Sequence, residues 1–133
     1  MSAGPDLRGF VPDITKLGLP FTAVTVDDAT EPMFEQQIEA GKFYIVEGTI
    51  GGVASDNTEF ISVSFQLGVK LDNLGDAQIV AESTPFKARS QNVIDVLYLL
   101  TGIDGNTLSV SVKGFLGTTM NWSGTIKVNA TDL

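Results

Sequence analysis

From Phe21 onward, hydrophobic positions recur with a period of two. Between Phe60 and Leu71 the residues Ile61, Val63, Phe65, Leu67, Val69 and Leu71 are apolar, with Ser62, Ser64, Gln66, Gly68 and Lys70 between them. Successive strand side chains point to opposite faces, so this pattern describes a strand with one face in a core and the other in water. It returns as Leu108, Val110 and Val112 against Thr107, Ser109, Ser111 and Lys113. It returns again as Trp122, Ile126 and Val128 against Ser123, Thr125, Lys127 and Asn129. Turn residues punctuate the runs at Gly51-Gly52, Asp56-Asn57, Asp72 to Asp76, Ser90-Gln91-Asn92, Asp104-Gly105-Asn106 and Gly117-Thr118-Thr119,. The spacing predicts strands over 21–26, 33–39, 42–53, 60–71, 77–84, 93–100, 107–114 and 120–130. Eight short strands between turns predict an all-β fold, an antiparallel, jelly-roll-like β-sandwich.

Two segments fit this pattern less directly. Thr30 to Gly41 offers an N-cap, an early proline, good helix formers and a terminal glycine, the signals of a short helix,. Read as a strand, it puts Phe34, Gln36 and Ile38 on one face and Glu35, Gln37 and Glu39 on the other, and the alternation favours the strand. The run Val93 to Leu100 is apolar on both faces apart from Asp95, and periodicity alone does not separate such a run from a buried helix,.

A run greasy on both sides changes the picture. A two-layer sandwich leaves one face of each strand in water, so an outward row of Val93, Leu97 and Leu99 needs a cover. Phe43 and Ile45, beside Tyr44 and Val46, pose the same problem on a second strand. Monomers rarely expose large contiguous apolar patches. These five residues are therefore expected at subunit contacts, most simply in a closed homo-oligomer.

Residues 1–20 differ in character. Pro5, Pro12 and Pro20 with Gly4, Gly9 and Gly18 break any regular element, and Leu7, Phe10, Val11, Ile14, Leu17 and Leu19 are spread among them,. This reads as an extended N-terminal arm ahead of a sandwich domain over 21–133. A solvated linker has no use for so much apolar surface, so Phe10, Val11, Ile14, Leu17 and Leu19 are expected to dock. The surface they meet is their own domain or a neighbouring chain.

Composition narrows the chemistry. The 133 residues carry a net charge of −8, and so acidic a chain repels a phosphate backbone; nucleic acid is not an expected partner. No apolar run approaches the roughly 20 residues that cross a bilayer, and the N-terminus shows no secretory signal. A soluble protein made in a cytoplasm is the expectation, and the sequons at Asn121 and Asn129 then have no bearing. With no Cys and no His, the commonest nucleophile, general base and metal ligands are missing. A non-enzymatic protein without a cofactor is expected.

The remaining candidates for chemistry are weakly specified. Asp27, Asp28, Glu31, Glu35 and Glu39 form a run without a cation, in a first half (residues 1–60) that holds seven of the eight net negative charges. Such carboxylates can bind Ca²⁺ or pair for glycoside hydrolysis, yet more commonly they solvate an outward face. Asp72 to Asp76 reads as a cation cradle or, more simply, a hairpin turn. Trp122 offers a ring for glycan stacking, but it continues the apolar alternation and so reads first as core.

The segment Asn106-Thr107-Leu108-Ser109-Val110-Ser111-Val112-Lys113-Gly114-Phe115-Leu116-Gly117-Thr118-Thr119-Met120-Asn121-Trp122, followed by Gly124-Thr125-Ile126-Lys127-Val128, resembles β-rich virion proteins of tailed bacteriophages. Gly41-Lys42-Phe43-Tyr44-Ile45-Val46-Glu47-Gly48 is similar to a central strand of their trimeric jelly-roll modules. The resemblance covers roughly residues 30 to 130 and leaves out the arm. It implies a homotrimeric virion protein that decorates the capsid, with the major capsid protein or another virion component as partner. A tail-fibre tip, or a carbohydrate- or receptor-binding module, is the alternative. The absence of a stalk favours decoration, and the resemblance carries no catalytic residues.

Overall fold

The computed structural model describes residues 19–102 and 105–133, which form eight strands and no helix. They are β1 (Leu19–Val26), β2 (Thr30–Gln37), β3 (Lys42–Ala54), β4 (Phe60–Leu71), β5 (Ala77–Arg89), β6 (Asp95–Thr101), β7 (Thr107–Lys113) and β8 (Thr119–Asp132). One sheet has the order β1-β8-β3-β4-β5 and the other β2-β7-β6, with every pairing antiparallel. The sandwich expected from the alternation is the fold.

The topology is only partly that of a jelly roll. Its nested outer pairs, β1 with β8 and β2 with β7, are present. The pair of β3 with β6 is not, because β3, β4 and β5 run as a meander within one sheet. Two tight reversals enforce this. At the first, Asn57 takes a φ of 64° and its N–H reaches the Ala54 carbonyl at 2.8 Å. At the second, Asp72 Oδ1 accepts from the N–H groups of Leu74 and Asp76 at 2.8 and 2.9 Å. The Asp72 carboxylate is thus committed to its own turn, the hairpin reading of that segment.

Residues 30–37 are strand, but their alternation is not the expected one. The register shifts between Pro32 and Phe34, a bulge that buries both Met33 and Phe34,. Ile38 is buried just past the strand end, where its N–H meets the Asn106 carbonyl at 2.8 Å. Gly51-Gly52 is no turn either and lies inside β3.

The inner face of β3 explains those glycines. Gly48 lies opposite Phe65 of β4, and Gly52 opposite Trp122 of β8. A Cβ at Gly48 would come within 2.6 Å of the Phe65 ring, and one at Gly52 within 2.7 Å of the indole. Both rings therefore lie across bare backbone. Trp122 is 2% exposed, and its Nε1 donates to Thr25 Oγ1 at 3.0 Å, itself buried. A hydroxyl at Thr25 is what lets the indole N–H be buried without a desolvation penalty.

The sheets are tied at one edge by charge. Asp95, at the start of β6, receives Lys87 Nζ and Arg89 Nη1 from β5, each at 2.8 Å, and the Val96 N–H at 2.8 Å. Burial pushes the Asp95 carboxyl up, but the hydrogen bonds from Lys87, Val96 and Arg89 outweigh it and hold the group below the ordinary aspartate value,. A carboxylate depressed in the folded state stabilises fully above its unfolded pKa, and that contribution is lost as pH falls through the folded one. Asp95→Asn is expected to cost about 1–2 kcal/mol at pH 7, the lower end reflecting solvent screening of a partly exposed cluster. In thermal unfolding scans at pH 7 and pH 3 the gap between wild type and variant should shrink at the lower pH. A gap independent of pH would refute the assignment.

Candidate functional site

Among the described residues, no group of three or more His, Cys, Asp or Glu side chains comes together that could hold a metal ion. The acidic run is dispersed by the fold. Asp27 sits at φ 57° in the turn after β1, where its Oδ1 accepts from the Gly117 N–H at 2.9 Å and its own N–H reaches the Thr118 carbonyl at 3.0 Å. It is a structural clasp between two loops. Glu39 pairs with Lys42 at 3.3 Å. Trp122 presents no face to a sugar, because the core covers it.

What the fold does display is surface. On the outer side of the five-stranded sheet, cross-strand register builds rows. Val24, Asn121, Val53 and Phe60 stand side by side on β1, β8, β3 and β4, with Val26 beyond Val24 on the same face. Val24, Val26, Val53 and Phe60 are between 42% and 59% exposed. They form an apolar band at the end of the sandwich where β1 stops and β8 begins.

Sequence reasoning missed this band. The signal was present: with Phe21 and Ala23 facing in, Val24 and Val26 must face out. Thr25, polar yet buried for the sake of the indole, disguised the alternation.

Of the interface residues expected on β6, Leu97 and Leu99 lie on its outer face, whereas Val93 lies in the turn before it, because the strand begins at Asp95 and not at Val93. Val93 and Leu99 are 47% and 40% exposed, whereas Leu97 is half-buried. Leu97 and Leu99 pair with Ser111 and Ser109 on the outer side of the small sheet. Those two serines are buried instead of wet, their hydroxyls 2.8 Å apart. As the short side chains of a middle strand, they sink between longer neighbours on β2 and β6.

Phe43 and Ile45 face outward from β3 but are half-buried. The reason is Gly68 of β4, over which the Phe43 ring lies; a Cβ there would be 2.8 Å from Phe43 Cζ. Their own sheet supplies part of the cover that a partner was expected to give.

Leu19, grouped with the arm in the sequence, is the first residue of β1 and pairs with Ile126, with Pro20 following on this edge strand,. Phe10, Val11, Ile14 and Leu17 lie outside the described residues.

The polar centre of the large sheet's outer face holds a shallow trough of about 360 Å³. Its floor includes Glu47 and Lys127, an ion pair at 3.4 Å, and Thr49 and Ser64, with hydroxyls 3.5 Å apart.

No family model and no curated protein matches the chain. Among solved structures it is similar to the tailspike protein of Acinetobacter baumannii phage AM24, with a TM-score of 0.41 and 7% identity, covering 91% of this chain. The chain spans 30% of that tailspike's length. A likeness this distant carries no functional argument.

Proposed function

We propose that this chain is a non-enzymatic structural protein of a tailed-bacteriophage virion, acting as a homotrimer that decorates the capsid. The observation that carries the reading is the exposed apolar band of Val24, Val26, Val53 and Phe60. These four side chains stand on β1, β3 and β4, with the polar Asn121 of β8 between them, and apolar surface of this kind is what water disfavours and a protein partner covers,.

A second outward apolar set, Val93, Leu97 and Leu99, supports a closed ring over a two-fold dimer. An isologous dimer uses one patch twice and leaves the other wet, whereas a head-to-tail ring joins one patch to the other. The partially covered Phe43 and Ile45 are a lesser part of the contact. The virion assignment itself draws on the resemblance of residues 30 to 130 to phage virion modules. The expected location is the virion, with the major capsid protein or another virion component as partner.

The arm is the anchoring element. Phe10, Val11, Ile14 and Leu17 attach each subunit to the shell or to a neighbour, and three arms on one trimer add through effective concentration. Deleting residues 1–18, up to but not into β1, is expected to leave a folded trimer that no longer decorates particles in a co-sedimentation assay. Full occupancy by the truncated protein would show that the arm is not the anchor.

A further inference from the structure

Phe86 is 53% exposed and lies on a face that is otherwise hydroxyl- and amide-rich around it. Its cross-strand partner is Ser64, one of the floor residues of the trough. On one side of the trough, β5 does not run flush with β4. While β4 advances from Ser64 to Gln66, β5 advances from Phe86 to Ser83, so one extra residue is accommodated in the stretch holding Thr84 and Pro85. A bulge of this kind bends the strand and re-aims its side chains, and such bulges gather beside functional sites. Here Pro85 lines one wall and Phe86 stands beside it.

The floor is chemically mixed but electrically balanced. Glu47 and Lys127 are direct cross-strand partners and neutralise each other, and Thr49, Ser64, Gln66 and Ser83 add hydroxyl and amide groups that both donate and accept,. Such groups suit a ligand bearing many hydroxyls and no net charge. An exposed ring at the edge of the trough suits a ligand with a flat apolar C–H face. A sugar ring combines both properties. The net charge of −8 adds a long-range field that disfavours polyanions,.

We propose that this trough, walled by Pro85, flanked by Phe86 and floored by the Glu47–Lys127 pair, is a binding site for a neutral oligosaccharide. The ring of Phe86 takes the C–H face of one sugar unit, and Glu47, Gln66 and Ser64 hydrogen-bond its hydroxyls. The site uses neither the apolar band nor the arm, so it stands apart from the decoration reading. Its volume falls within the range of small-ligand sites, and its shallow, open form implies weak, rapidly exchanging binding per subunit,.

The test is an array of neutral and anionic bacterial surface oligosaccharides probed with the full-length chain, followed by titration calorimetry on the retained sugars. Wild type is expected to retain neutral oligosaccharides. Phe86→Ala should weaken them about tenfold, the size of one lost aromatic contact. Glu47→Gln should weaken them as well, and Leu74→Ser, outside both the trough and the apolar band, should leave them unchanged. Phe86 is half in solvent, so its removal does not threaten folding,. The proposal is overturned if no neutral sugar is retained, if only anionic ones are, or if both trough variants bind like wild type. It is equally overturned if Phe86→Ala changes the particle mass, which would assign the ring to contacts between copies.

Discussion

Gly124→Ala is expected to destabilise the fold by about 3 kcal/mol, the upper end of what an overpacked methyl costs. Gly124 of β8 lies opposite Ile50 of β3 and Phe21 of β1, in the middle of the large sheet. A Cβ built there runs into the Thr49 carbonyl oxygen, 2.9 Å from Ile50 Cα and 3.0 Å from Ile50 Cγ1. Two of those three atoms are backbone, which no rotamer change moves aside. Removing glycine from a strand would otherwise gain about 0.5–1 kcal/mol through the unfolded chain's lower entropy, so the clash wins.

Gly51→Ala serves as the control. Its Cβ would meet nothing nearer than the Ile61 carbonyl at 3.8 Å, and that substitution should be neutral or slightly stabilising. Urea unfolding at one fixed protein concentration reads both, because association would otherwise shift the midpoints. A Gly124→Ala protein within 1 kcal/mol of wild type would show that β3 and β8 are not packed this closely.

The second large effect concerns mass. Val24, Val53 and Phe60 stand in one cross-strand row through Asn121, with Val26 two residues beyond Val24, and all four apolar side chains are between 42% and 59% exposed. If copies cover it, Val24→Ser combined with Phe60→Ser removes apolar area from the contact while disturbing little inside the subunit, since both side chains are largely in solvent. The double variant is expected to fall apart into single chains that retain the wild-type circular dichroism spectrum.

Much of the sandwich was legible because period-two alternation is a direct readout of which side of a sheet is dry. Strands β4 and β7 fall almost where the alternation placed them. Topology was not legible. Whether β4 stays beside β3 or crosses to the other sheet depends on hairpin geometry at Asn57 and Asp72, which periodicity does not encode. The bulges in β2 and β5 escaped for a related reason: one extra residue shifts the face of everything beyond it. That is how Met33 and Phe34 came to share a face, and how Phe86 came to flank the trough.

The pair Gly51-Gly52 reads as a turn in the sequence, yet Gly52 is a seat for Trp122, as Gly48 is for Phe65, a role visible only once cross-strand register is known. Trp122 itself was correctly read first as core. Its partner was not foreseen, because Thr25 looks like any solvent-facing threonine in the sequence.

The proposed association requires that one subunit present more apolar β-surface than it hides alone,. Light scattering coupled to size exclusion on the full-length chain in dilute solution tests it most directly. A single species near three times the 14.1 kDa chain mass is expected. A stable 14.1 kDa particle that stays monomeric as concentration rises would contradict it.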